Sequence, residues 1–455
     1  MKIRLAGAGA GKTSHLANVI FDEYRMISGT ARPIYVMAYS NLARNIIFER
    51  LQKKFHGNIP RDIHFSTIHN FLNHKIIRPY FYCLFNIEYH GVSMEDVSGK
   101  YRGYNLKRIN DSGLLHVSQF SERAKWVLFQ KSGESKKTKS NRKVITDLIT
   151  DNIGKVYIDE AQDIDKDMSI VLKILDSLGV EIYLTGDLNQ DLSSRGGLAG
   201  LCEERKYEVN HENHRCPENH VKLANVFLST EFEQSALSTS IGSLNYCLEP
   251  EIRDVANLVS KYQLTYVNKS NLRFRKAKKN EDNLETILQS ILESALCVSK
   301  KDKESKRIFD DSVYNYVYRT KIEKRLNSSN LIQYVDGILK TFDIKNDRRT
   351  FARLREALKK YENSVMTDGI EVSTIMGIKG DEADDCLFIM STDLFSYLSQ
   401  ESSAANKMKC ALYVGLTRAR KNLTLLLTTE VTKKYSATAI SDIMKKLGIQ
   451  KLPIN

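Results

Sequence analysis

The stretch Ala6-Gly7-Ala8-Gly9-Ala10-Gly11-Lys12-Thr13 is a run of small residues closed by Lys-Thr. It constrains the fold more than any other stretch, because its chemistry works only between a strand and a helix. Met1 to Leu5 reads as a short strand. From Ser14, the spacing of Leu16, Val19, Ile20 and Phe21 reads as a helix. Between them, small residues let successive backbone N–H groups curl around an anion at the helix N-terminus. Lys12 would then reach the β- and γ-phosphates of a nucleoside triphosphate, and the Thr13 hydroxyl would sit on Mg²⁺. The pattern asks for Gly at its first position and finds Ala6. The bland alternative is a Gly/Ala turn that happens to precede a lysine, and the flanking strand and helix argue against it.

The apolar run Pro33 to Tyr39 is the next strand, of the kind buried on both faces of a parallel sheet. Ser40 can cap a helix from Asn41. Asp62 to Thr67 reads as strand, with a helix beginning at Ile68. This alternation predicts an α/β doubly wound layer. Residues 74 to 145 lose the rhythm and read as an insertion, with Ser132 to Lys143 as a solvated basic loop. The rhythm returns at Val156-Tyr157-Ile158-Asp159-Glu160, an apolar strand ending in two acids. Asp159 would hold Mg²⁺ through water, and Glu160 would orient and deprotonate the attacking water. A third strand, Val180 to Thr185, leads to Gln190, whose amide can touch the γ-phosphate.

Lys plus Arg exceed Asp plus Glu by 68 − 55 = 13. On a nucleotide-binding chain this excess points to a polyanion such as DNA or RNA, or else to a merely soluble basic surface. The seven cysteines are scattered and never in C-x-x-C spacing, which predicts a reducing cytosol, with neither a disulfide frame nor a zinc cluster. No apolar run approaches the roughly 18 residues of a membrane span, and no signal peptide precedes the loop, so a cytoplasmic protein is expected.

The stretches AGAGAGKT, AYSNLA, STIHNF, IDEAQD, GDLNQ, ENHRCP, VSTIMGIKGDEAD and YVGLTRAR stand in this order from Ala6 to Arg420. The set resembles the superfamily 1 helicases of the UvrD/Rep type. The resemblance implies two RecA-like parallel-sheet motor domains with short, mainly helical insertions. ATP would lie in the cleft between them, and single-stranded DNA across their tops, with movement 3′ to 5′. Ala6 to Ser14 would form the ATP loop. Arg215 would be one arginine finger on the γ-phosphate and Arg418 a second, from the other motor domain. His214 would stand at the adenine. Glu382, beside Gly380, would contact the ribose. Tyr39 and Phe71 fall where the family places strand-contacting residues, and either could equally be core. Asn41, Thr67, His69 and Thr374 are candidates for phosphate contacts.

Departures from the family's pattern bear on strand gripping and base choice. After Gln190, the run Asp191 to Gly197 carries none of the usual aromatics. Met376 stands in place of a His, Asp381 in place of a Leu, and His214 in place of a Tyr. The upstream adenine-reading Gln lies in a segment the sequence does not contain, so relaxed base selectivity is expected.

The motor boundaries implied are 1–73 with 146–228, and 229–279 with 366–455, the insertions being 74–145 and 280–365. Glu251 to Leu258 reads as helix, and Gln263 to Val267 as the first strand of the second motor domain. Leu284, Ile287, Leu288, Ile291 and Leu292 keep helical spacing, Lys300 to Arg307 reads as a solvated loop, and a polar helix ends near Lys446. Within the family, the compact size and the position of the loop resemble the helicase-like subunit of Gabija antiphage defence, which works with an OLD-type nuclease partner. The expected activity is a Mg²⁺-dependent, DNA-stimulated ATPase and helicase. One alternative is a nucleotide-gated DNA-end sensor that recruits a nuclease without processive unwinding, and another is an RNA-directed motor.

Overall fold

A computed structural model describes residues 1–26, 32–95, 97, 99, 101–129, 133–271, 273–276, 284–296, 303–327, 329–344, 348–365 and 369–453. They form two compact units, Met1–Asn268 with Ile375–Asn455, and Lys269–Thr374. The fold is α/β, built on parallel sheets, as the alternation predicts.

In chain order the first strands are β1 (Lys2–Ala6), β2 (Ile34–Ala38), β3 (Ile63–Thr67), β4 (Gly91–Ser93), β5 (Leu114–His116), β6 (Lys155–Ile158), β7 (Glu181–Gly186) and β8 (Glu208–Asn210). Six of them make one sheet in the order β3-β2-β6-β7-β1-β8, with every neighbouring pair parallel. All five residues of β2 are buried, because helices cover both faces of the sheet. Leu16 and Ile20, with Ile47 and Leu51, pack on one face against Ile34, Val36 and Tyr157. Met168, Leu172 and Leu175 cover the other, against Met37, Ile158 and Leu184. This order carries a functional consequence. Because β7 lies between β1 and β6, the turn bearing Gln190 emerges between the small-residue loop and the paired acids.

Phe81, Leu115, Phe120, Ala124 and Val127, from the segment between β3 and β6, belong to the same core. Residues 68 to 85 run as helix, π-turn over Leu72–Ile77, and helix. Pro79 has no N–H to continue the α ladder, which suits a local π register. The basic loop expected over Ser132 to Lys143 is instead largely helix, Lys136–Asp151, capped by Ser135. Arg142 is buried in it, forked onto Glu134 at 2.5 and 3.1 Å and bonded to the Trp126 and Val127 carbonyls. Lysines at exposed helical positions favour helix as readily as loop. Ser132 itself lies outside the described residues.

Then follow β9 (Glu212–Asn213), β10 (Ser235–Ala236), β11 (Ser243–Leu248), β12 (Leu264–Val267), β13 (Phe274–Lys276), β14 (Ile370–Thr374), β15 (Ala383–Met390), β16 (Ala419–Leu427) and β17 (Gln450–Lys451). Within the first unit β12-β15-β16-β11-β17 form a second parallel array. It therefore begins with β11, before the Gln263–Val267 strand expected to open it, and Leu244, Tyr246 and Leu248 are buried there. The helix expected from Glu251 forms only over Val255–Ser260, where Asp254 caps the Asn257 N–H at 2.9 Å. The last helix, Ala437–Lys446, buries Ile440 and Met444.

The second unit pairs β13 with β14 in parallel and packs its helices around Leu288, Leu292, Val313, Val335, Ile338, Leu354 and Leu358. Helix Lys303–Thr320 takes in most of the expected basic loop, with Lys306 paired to Glu293 and Asp310. Lys300 lies outside the described residues. Among these residues no helix is long and apolar enough to cross a membrane.

Candidate functional site

The small-residue loop joins β1 to helix Lys12–Met26, as its chemistry requires. Its alternation of Ala and Gly has a packing cause. Ala6, Ala8 and Ala10 are buried, whereas Gly7 and Gly9 are pressed from outside. A Cβ on Gly7 would stand 2.4 Å from the Gln234 amide carbon, and one on Gly9 2.7 Å from both Arg215 Cβ and Asn213 Oδ1. Gly9 and Gly11 also take positive φ, 73° and 69°. Lys12 is nearly buried, and its ammonium donates to the Ala6 and Gly7 carbonyls at 3.2 and 3.1 Å. Ser14 follows on the helix, half-buried.

The Thr13 hydroxyl donates to Asp159 Oδ2 at 2.7 Å. This brings together the hydroxyl that would sit on Mg²⁺ and the carboxylate that would hold it through water. Among the described residues no cluster of three or more His, Cys, Asp or Glu could hold a metal unaided. Burial and the adjoining Glu160 charge push Asp159 above its usual value. Glu160 goes the other way. Burial raises it too, but Lys12, then Lys379, the Gln162 amide and Arg418 outweigh that and hold it below the usual range. The two neighbouring carboxyls are thus pushed in opposite directions, Asp159 up and Glu160 down. Glu160 is also left-handed, φ 55°, a conformation costing about 1–2 kcal/mol for a non-glycine residue. Its side chain accepts from Gln162, and its N–H donates to Asp159 Oδ1 at 3.0 Å.

Gln190 is buried, its amide donating to Asp187 Oδ2 at 2.8 Å. Asp187 is itself raised, by burial first. Arg215 and Arg418 stand on different elements, and Arg215 lies against Gly9 of the loop. Arg215 follows β9, bonds Glu382, and donates to the Thr417 carbonyl at 3.2 Å. Arg418 follows helix Lys407–Leu416 and is 1 % exposed. Its guanidinium donates to the Val414 carbonyl at 2.9 Å, the Asp381 carbonyl at 3.3 Å and the Thr417 hydroxyl at 3.3 Å. Among the described residues it has no carboxylate partner, and burial, then Arg215, lower its affinity for its proton. His214 donates its backbone N–H to the Gly9 carbonyl at 2.9 Å, and its exposed ring lies beside Gly11. Gly380 stands in the turn that leads to Glu382.

The expected strand-contact residues divide. Tyr39, at the end of β2, is half-buried; it lies 5.2 Å from the His69 ring and has the Arg195 guanidinium 4.5 Å over its face. Phe71 is in the core against Tyr35, 5.1 Å between ring centres, so its ring is not presented for stacking. Asn41 is exposed at a helix start. Thr67 caps the Asn70 N–H at 3.2 Å. Burial, then Arg195, lower His69. Met376, in the family's His position, is 54 % exposed. Thr374 ends β14 in the second unit.

Three residues of the site are not singled out by the sequence, although Lys379 lies within VSTIMGIKGDEAD. Lys379 bonds Asp163 at 2.7 and 2.6 Å. Gln234 and Tyr413 both touch Ala8. The Tyr413 position falls within YVGLTRAR, but nothing in the sequence pairs it with Ala8.

Residues 1–195 match a family model described as an AAA domain. The Gabija protein GajB of Bacillus cereus (strain VD045) is 27 % identical over 235 residues, 49 % of this chain and 45 % of that protein. The match thus spans less than half of the curated relative. Among solved structures, the helicase nonstructural protein 10 of an arterivirus, in complex with DNA, is 10 % identical. That likeness covers 93 % of this chain and 59 % of that one at a TM-score of 0.37, too slight to carry an argument. The first two matches, an AAA domain and a Gabija protein, are consistent with the resemblance drawn from the motifs.

Proposed function

We propose that this chain, as a relative of the UvrD/Rep-type helicases, is a Mg²⁺-dependent, DNA-stimulated ATPase that moves 3′ to 5′ along single-stranded DNA within a Gabija-type antiviral complex. In this reading residues 1–73 with 146–228 are the first motor and 229–279 with 366–455 the second. The partner is an OLD-family nuclease subunit, expected from the sequence resemblance, and the protein acts in the cytoplasm.

The observation that carries the reading is Arg418, a buried guanidinium satisfied only by neutral oxygens. An unpaired buried cation costs several kcal/mol, which an anion arriving in the cleft would offset. The Arg418 charge, with that of Lys12, acts on Glu160, and Arg215 lies against Gly9 of the loop. Thr13 and Asp159 would hold the metal, which when bound neutralises charge on the phosphates. Glu160 would take a proton from the attacking water, and Gln190 would position that water beside the γ-phosphate. Arg215 and Arg418 would spread positive charge over the oxygens as negative charge develops. If Lys12→Ala and Glu160→Gln proteins hydrolyse ATP as fast as the parent with single-stranded DNA present, this site is not the motor.

The covering of Tyr39 by Arg195 and the burial of Phe71 favour a second reading, the DNA-end sensor, because fewer rings are offered to grip a strand. ATP hydrolysis without strand displacement on a 3′-tailed duplex selects the sensor.

A further inference from the structure

Outside the motif stretches, Gln234 is buried at the site, 6 % exposed, just before β10. Its amide takes part in a closed ring of hydrogen bonds. The Ala8 N–H donates to the Tyr413 hydroxyl at 2.9 Å. Tyr413 donates to Gln234 Oε1 at 3.2 Å, and Gln234 Nε2 donates back to the Ala8 carbonyl at 3.2 Å. Every proton in the ring is used once. Asn213 braces it, donating to both Ala8 O at 2.9 Å and Gln234 Oε1 at 3.2 Å. The Gln234 backbone is in turn fixed to Asn225 in both directions, at 2.9 and 2.8 Å. Gly7 gives up its Cβ position to this amide.

The ring joins two machines. Ala8 belongs to the small-residue loop. Tyr413 lies on helix Lys407–Leu416, one turn before Arg418, and the two are linked through that turn: Thr417 donates to the Tyr413 carbonyl at 2.9 Å and Arg418 to the Val414 carbonyl at 2.9 Å. Burial, and then the Asp187 charge, push the Tyr413 phenol far up, so it keeps the proton it donates. The geometry points to Gln234 as a positioning residue: through Tyr413 it sets the register of Arg418 against the phosphate loop, and so couples nucleotide state to the second sheet. This rests on the proposed ATP site. A residue acting on register contributes when charge develops at the transferred phosphate, and little to holding nucleotide in the ground state.

The test uses the full chain with single-stranded DNA and measures kcat, KM for ATP and melting midpoint. Gln234→Ala and Tyr413→Phe are each expected to lower kcat about ten-fold or more while KM stays within about three-fold. Because either change opens the same ring, the double variant is expected to be no slower than the worse single one. Losses that multiply, losses confined to KM, losses that track a fallen melting midpoint, or parent-like kcat in both single variants overturn the proposal. Lys12→Ala runs alongside. If it hydrolyses ATP like the parent, the ATP site itself is misassigned and the coupling falls with it. If it is inactive while Gln234→Ala and Tyr413→Phe are parent-like, only the coupling falls.

Discussion

Lys379, from the turn before β15, grips Asp163 through both carboxylate oxygens at 2.7 and 2.6 Å and stands 3.9 Å from Glu160. Only Lys12 does more among the cations that hold Glu160 below its usual value. Removing Lys379 therefore lets Glu160 rise. Since Glu160 would work as a carboxylate, the acid limb of kcat/KM against pH should move to higher pH in Lys379→Ala. A limb that stays in place would separate Lys379 from the base.

His220 packs between Gly242 and the Ser243 carbonyl, its Nε2 3.1 Å from that oxygen, and burial lowers its pKa to about 4. The unfolded chain takes up this proton near pH 6.5, and the folded chain only near 4. Stability from His220 is thus whole above 6.5 and drains away as pH falls toward 4, by up to about 3 kcal/mol. Melting midpoints across that window should fall less steeply for His220→Gln than for the parent. Equal slopes would assign the acid sensitivity elsewhere.

Arg142 is a structural cation, forked onto Glu134 and capping two carbonyls at the end of the Phe120–Leu128 helix. Arg142→Ala removes a buried guanidinium together with its bonds to Glu134 and to the two carbonyls, and should cost about 3 kcal/mol in urea unfolding. A loss under about 1 kcal/mol would mean that water replaces the guanidinium at little cost.

What the sequence made legible was local. The loop, the Asp159-Glu160 pair and the strands behind them are contiguous patterns whose periodicity and spacing carry the chemistry. The helical stripe from Leu284 was legible for the same reason. Partnerships between distant residues were not. Nothing in the sequence near Gln234 says that its amide will lie on Gly7, and nothing near Lys379 names Asp163. Phe71 was ambiguous because an aromatic at a helix start can turn either way, and packing against Tyr35 decided it. The Lys136–Asp151 helix was hidden because its lysines suit a helix surface as well as a loop, and its one inward charge, Arg142, looks like the others in sequence.

Arg418 offers the most direct test of a cleft built to receive phosphate. Arg418→Met removes a buried cation that, among the described residues, has no carboxylate bonded to it; relief of the buried charge opposes the loss of its three hydrogen bonds, so the folded protein should melt within a few degrees of the parent. DNA-stimulated ATP hydrolysis by the same protein should fall about 10³-fold. Parent-level hydrolysis, or a melting midpoint lowered by many degrees, would make Arg418 a structural residue and contradict the account.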